Sequence, residues 1–156
     1  MTTPQTNAGH APVAGTIAAF VAGTGPGDLP ANVLHEAKRS LLNFISSAIG
    51  AANNPVLDDI IAVVEPFSGP ATAQLLGRQK RLDPLWAAFV NAIAGNTLAY
   101  DDTHLATVIH PTAPVAPPAL ALAGTRGLTG AQVLTAIALG AEIECRIGNS
   151  DRKSVV

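Results

Sequence analysis

An all-α fold is predicted, and three features of the sequence predict it. Val33, Ala37, Leu41, Phe44, Ile45, Ala48 and Ile49 recur at the spacing of one helix face, with His35, Glu36, Lys38 and Arg39 on the other. Leu85, Trp86, Ala88, Phe89, Ala92 and Ile93 form a run that is apolar nearly all round, the pattern of a buried helix. Only positions 73–82 alternate, weakly, and a lone edge strand there would have little to pair with.

The remaining elements follow from local signals. Within 11–22, Ile17, Phe20 and Val21 have helical spacing, and Gly23-Thr24-Gly25-Pro26-Gly27 ends that helix. Asp28 and Pro30 open the second helix, with the proline expected in its first turn, where a missing N–H costs nothing. That helix runs to about Gly50. Asn53-Asn54-Pro55 then breaks the chain, and Leu57, Ile60, Ile61 and Val64 support a shorter helix ending at Pro66. Asp83 reads as an N-cap with Pro84 at the first helical position. After a polar segment, 115–123 reads as an apolar helix with Pro117 and Pro118 in its first turn. Positions 124–130 read as a loop, and Thr129 is expected to cap a last helix over 131–147.

Composition bounds the function. The 156 residues suit one domain, and 48% hydrophobic residues can fill a core. Only 13% are charged, about half the usual ~25%, and the mean hydropathy is +0.33. Helices this apolar want a partner, either a second subunit or the remainder of a longer chain. A net charge of −2 offers no basic footprint for nucleic acid. One cysteine excludes an internal disulfide, a cysteine-built zinc knuckle and a three-cysteine iron–sulfur site. No secretory signal and no membrane span are recognised, so a cytoplasmic location is expected.

Residues 1–10 are small and polar and are expected to be a disordered lead-in, with a helical domain over 11–150. Residues 151–156, Asp-Arg-Lys-Ser-Val-Val, are what GAT-CGG-AAG-AGC-GTC-GTG encodes, a run resembling a common sequencing adapter. They are expected to be a non-native tail on an interrupted gene.

Functional groups concentrate in the connection between two apolar helices. Between 96 and 112 lie Tyr100, Asp101, Asp102, Thr103, His104, Thr107 and His110. A polar loop gripped by buried helices is a common place for a site, and carboxylates beside imidazoles suit proton transfer near neutral pH. Pro111 and Pro114 stiffen the backbone after His110. Asp-Asp-Thr-His alone would equally suit a helix end and its cap, but His110-Pro111 at short range favours a site. His35 and His10 read as solvated surface and tail, Cys145 as a small core residue, and at least one of Glu142 and Glu144 as ordinary solvent-facing charge. A metal site built from Asp101, His104 and His110 is a competing reading, although no His pair at helical ligand spacing is present.

Asn91-Ala-Ile-Ala-Gly-Asn-Thr-Leu-Ala-Tyr-Asp-Asp-Thr-His104, followed by His110-Pro-Thr-Ala-Pro-Val-Ala-Pro-Pro-Ala-Leu-Ala-Leu-Ala123, resembles the MmgE/PrpD family. The likeness extends over about 30–150, taking in Gly50, Leu75-Leu76-Gly77 and the run Gly130 to Arg146. The family includes 2-methylcitrate dehydratase, cis-aconitate decarboxylase and iminodisuccinate epimerase. The resemblance implies the N-terminal part of a helical domain in a longer, homodimeric, cofactor-independent enzyme without a metal. It further implies a carbon–oxygen lyase of the 2-methylcitrate dehydratase type, with an epimerase, a decarboxylase or a non-catalytic dimerisation module as alternatives. The substrate would be a small di- or tricarboxylic acid.

By the same resemblance His110 would be the general acid/base, with Asp101 and Asp102 lining the pocket. Thr103 would hydrogen-bond a substrate carboxylate and His104 would assist or orient. Members commonly carry a histidine at the place of Asn96 and an aspartate at that of Ala99, so two titratable groups are missing from this neighbourhood. The family's cationic groups lie further along than this chain reaches.

Overall fold

The computed structural model describes residues 12–152; the lead-in expected over 1–10 and residues 153–156 of the expected tail lie outside the described residues. Helix α1 spans Val13–Gly23, α2 Ala31–Gly50, α3 Pro55–Val64, α4 Pro84–Asn96, α5 Thr112–Arg126 and α6 Gly130–Arg152. A 3₁₀ turn at Glu65–Phe67 follows α3, and strands β1 (Ala73–Gln74) and β2 (Arg81–Leu82) precede α4. The predicted all-α class is observed. No helix among the described residues is long and apolar enough to cross a membrane.

Helices α2, α4, α5 and α6 pack on one another, and α3 and the hairpin close the far end of α4. The central cluster joins Phe44 and Ala48 of α2 to Ala94, Ala116 and Ile137 of the other three helices. A second cluster joins Ile61 and Val64 to Leu75, Leu82, Val90 and Ala121. Small residues allow these close approaches. Phe44 is 1% exposed because Gly95 leaves room for it: a Cβ on Gly95 would stand 2.3 Å from the Phe44 Cε2.

Asp83 caps α4 as its sequence signal predicts, its Oδ1 accepting from the N–H groups of Leu85 (2.8 Å) and Trp86 (3.0 Å). Its Oδ2 accepts from the Gly69 N–H at 2.7 Å, so the cap also ties down the preceding turn. Asn91, buried on α4, accepts from the Leu76 N–H and donates to the Gln74 carbonyl, both at 2.9 Å, clamping the hairpin to the helix. Thr129 and Gln132 cap α6 reciprocally: the Gln132 Oε1 accepts from the Thr129 N–H, and the Thr129 Oγ1 accepts from the Gln132 N–H.

Several expectations are corrected. The 73–82 segment finds its partner in itself, pairing Ala73 with Leu82 and Gln74 with Arg81 as an antiparallel hairpin. Pro30 is the N-cap of α2 instead of lying in its first turn, and Asp28 serves the preceding turn by accepting from the Gly25 N–H at 2.8 Å. Helix α4 is not buried all round, with Leu85 72% and Phe89 47% exposed, because its neighbours cover only the Ala87, Val90, Asn91 and Ala94 side. Helix α5 begins at Thr112, so Pro114 takes the first-turn role and Pro117 and Pro118 fall inside the helix. Their rings leave the Ala113 and Pro114 carbonyls without helical donors. Helix α5 reaches Arg126 and stops at Gly127 in the left-handed conformation (φ 64°), while α6 continues to Arg152, so the expected loop shrinks from both sides.

Two predictions follow from the packing and capping. Gly95→Ala raises helix propensity yet forces a methyl into the Phe44 ring, so urea denaturation should show a loss of about 1–3 kcal/mol or more; an unchanged or higher midpoint contradicts the α2–α4 contact. The backbone N–H groups of Trp86, Gly69 and Leu85 and the Ser68 hydroxyl hold the Asp83 carboxyl below its ordinary value of 3.8. A lowered folded-state value makes its contribution present above pH 3.8 and lost as acid carries it through that lower value. Asp83→Asn should therefore flatten the acid limb of stability below about pH 4, read by denaturant midpoints across pH.

Candidate active site

The connection after α4 is a strap held at several points. The Thr97 hydroxyl donates to the Ile93 carbonyl at 2.7 Å, and Asn43 of α2 donates to the Tyr100 carbonyl at 2.9 Å. Further on, His104 and Ile109 form an antiparallel bridge, the His104 N–H donating to the Ile109 carbonyl at 2.9 Å. Thr107 rests on α6 where Gly148 leaves space, since a Cβ there would stand 2.9 Å from the Thr107 Cγ2. The strap backbone is left-handed at Ala99 (φ 54°) and Val108 (φ 55°), a conformation disfavoured for both residues.

The neighbouring aspartates are used differently. Both oxygens of Asp102 turn to the start of α5: Oδ1 accepts from the Thr112 N–H at 3.2 Å and Oδ2 from the Thr112 hydroxyl. Thr112 is 1% exposed, and an anion at a helix N-terminus is favoured by the unpaired N–H groups there. Asp102 thereby fixes the strap to α5. Asp101 turns the opposite way, with its side chain only 2% exposed. Its Oδ2 accepts from the Asn96 amide at 2.8 Å and lies 3.4 Å from the His110 Nδ1, while its Oδ1 has no partner.

His110 is therefore gripped on one edge. Its Nδ1 lies 2.9 Å from the Asp102 carbonyl, 3.3 Å from the Thr103 Oγ1 and 3.4 Å from Asp101. A carbonyl can only accept, so the proton sits on Nδ1 and Nε2 carries the free lone pair. The ring is 44% exposed and lines an open groove of about 510 Å³ with Ile109, Pro114, Glu144, Ile147 and Gly148.

The structure thus brings Asp101, Asp102, Thr103 and His110 together. It does not bring in His104, whose Nδ1 meets the Thr107 Oγ1 at 2.6 Å and whose backbone carries the bridge to Ile109. For the metal reading, no group of three or more His, Cys, Asp or Glu among the described residues has the arrangement of a metal site. Cys145 is half-buried, and burial, then Glu142, Glu144 and Asp102, push its thiol up, which disfavours a thiolate nucleophile.

One residue of the groove is not singled out by its motif. Glu144 is half-buried, and its carboxyl is pushed above 4.5 by burial and then by the charge of Asp102. Glu142, by contrast, is exposed and pairs with Arg146. The spacing Ile137, Gly140, Glu144, Gly148 could have found it, since it continues the inward stripe of α6.

Comparison with known proteins agrees with this architecture. The family description "MmgE/PrpD N-terminal domain" matches residues 15–154. The chain is 25% identical over 132 residues to the cis-aconitate decarboxylase-like protein oryM of Aspergillus oryzae, covering 80% of this chain and 27% of that protein. It is 27% identical over 128 residues to the cis-aconitate decarboxylase of Aspergillus terreus, covering 79% and 26%. With the cis-aconitate decarboxylase of Homo sapiens it shares 28% over 138 residues, covering 85% and 28%. The chain spans about a quarter of the length of these relatives. A match that takes in nearly every described residue, the strap and His110 included, leaves one conclusion: the chain belongs to the MmgE/PrpD family.

Proposed function

We propose that this chain forms the acid/base part of a lyase acting on a small di- or tricarboxylic acid without a cofactor. The observation that carries the reading is the His110 ring, held at Nδ1 by the Asp102 carbonyl with the Asp101 carboxylate beside it, and lining a groove. Neutral, Nε2 is a base for a proton next to a carboxylate. Protonated, the ring is an imidazolium that can deliver a proton to carbon.

Each neighbour has a part in this reading. Asp101 orients the ring and balances its charge, as the third member of a triad does. Asp102 sets the position of the strap through Thr112, and its carbonyl fixes the tautomer. Thr103, exposed beside the ring, offers its hydroxyl to a substrate carboxylate. His104 acts at one remove, by holding the turn that leads to His110.

Two of the relatives named above are cis-aconitate decarboxylases, which supports carbon–carbon cleavage over the carbon–oxygen cleavage that the dehydratase resemblance implies. Loss of CO₂ leaves an electron pair on carbon, and a proton from His110 would quench it. Anionic substrate and developing charge both require cations. Among the described residues the groove wall offers no Lys or Arg, so the reading places them in the rest of a longer protein. The exposed apolar residues Leu85 and Phe89 suit burial against that remainder or in a homodimer, and a cytoplasmic location belongs to the same reading.

The experiment is a CO₂-release assay on the full-length protein with cis-aconitate. His110→Ala should lower kcat by about 10²–10⁴-fold, the usual worth of a positioned acid/base group; turnover unaltered by the substitution contradicts the assignment. The 156-residue chain alone, lacking a cationic wall, should turn over no substrate in the same assay.

A further inference from the structure

We propose that Glu144 is a second proton-holding group of the site, a positioning carboxyl on the α6 wall that sets the charge of the His110 ring across the groove. The inference rests on the reading of His110 as the acid/base group. It adds a residue that neither the Asp-Asp-Thr-His motif nor the family match assigns.

Three observations support it. Glu144 and His110 line the same groove, one from α6 and the other from the strap. Glu144 occupies the inward stripe of α6, between Gly140 against Val115 and Gly148 against Thr107, where packing alone would favour an apolar or small side chain. Finally, among the described residues no salt bridge offsets its burial, whereas Glu142 two residues earlier has Arg146. A carboxyl kept in such a place without a counter-ion holds its proton to higher pH, in agreement with its raised value.

The ionisable groups around the groove are few. The strap contributes Asp101, Asp102 and His110, and α6 contributes Glu144, with Cys145 beside it. The opening turns of α5, from Thr112 to Pro118, contain no ionisable side chain. Asp101 accepts from Asn96 and Asp102 from Thr112, and Glu144 is the carboxyl that faces the groove from the α6 side. Protonated, it can donate a hydrogen bond to a substrate carboxylate. Ionised, it would repel that carboxylate and strengthen proton binding at His110. The groove would then admit a carboxylate ligand with uptake of a proton.

The test is an NMR titration of the 156-residue chain, following the His110 ring and the Glu144 side-chain carboxyl carbon together. The His110 resonance should show a second inflection at the pH where Glu144 titrates. In Glu144→Gln that inflection should vanish, and His110 should bind its proton roughly two- to ten-fold more weakly. Glu142→Gln should change neither, and Glu144→Asp should restore the inflection. A single His110 inflection in the unsubstituted chain, or an equal effect from Glu142→Gln, overturns the proposal. The unsubstituted titration decides even if a variant fails to fold. Failure of the lyase reading would appear separately, as turnover that survives His110→Ala.

Discussion

The bond between Asp102 and Thr112 is the constraint on which the candidate site depends. It joins the strap that bears the polar residues to the first residue of α5, whose buried face belongs to the core. On the same strap the Asp102 carbonyl stands 2.9 Å from the His110 Nδ1, and Asp101 faces the same nitrogen at 3.4 Å. Adjacent residues in an extended segment point to opposite sides, so two neighbouring aspartates can serve two ends. One carboxylate anchors the backbone, and the other faces the imidazole.

This division of labour was only partly legible in the sequence. The cluster itself was plain, because apolar helices flank it and few other ionisable groups lie nearby. The separate duties of Asp101 and Asp102 were not, since they depend on where α5 begins. Placing that start at 115 left Thr112 in the loop and Asp102 without a helix to cap. Glu144 escaped for a related reason: a glutamate on a helix reads as solvated unless its neighbours four residues away are known to pack inward. That the His104 ring meets Thr107 and not the His110 ring could not be read in the sequence, because proximity along the chain says nothing about which way a turn carries a side chain.

The fold was more readable where the signal was local. The Asp83 cap, the Thr129 cap and the middle of the α2 face depend on residues within one or two turns and were legible, although Val33 and Ile49 at the ends of that face are exposed. The hairpin needed Asn91, some fifteen residues away, to hold it on α4. The exposed Leu85 and Phe89 show the converse: an all-apolar helix pattern states that a helix will be covered, and other parts of a longer protein can supply the cover. This is consistent with a chain that spans about a quarter of its relatives.

The central claim is the held state of the imidazole, with its proton on Nδ1 and its lone pair on Nε2. The ¹⁵N chemical shifts and two-bond ¹⁵N–¹H correlations of His110 in the neutral ring report this directly. The account predicts the Nδ1–H tautomer for His110, in contrast to the Nε2–H form favoured by solvated histidine. An Nε2–H tautomer at His110 would contradict it.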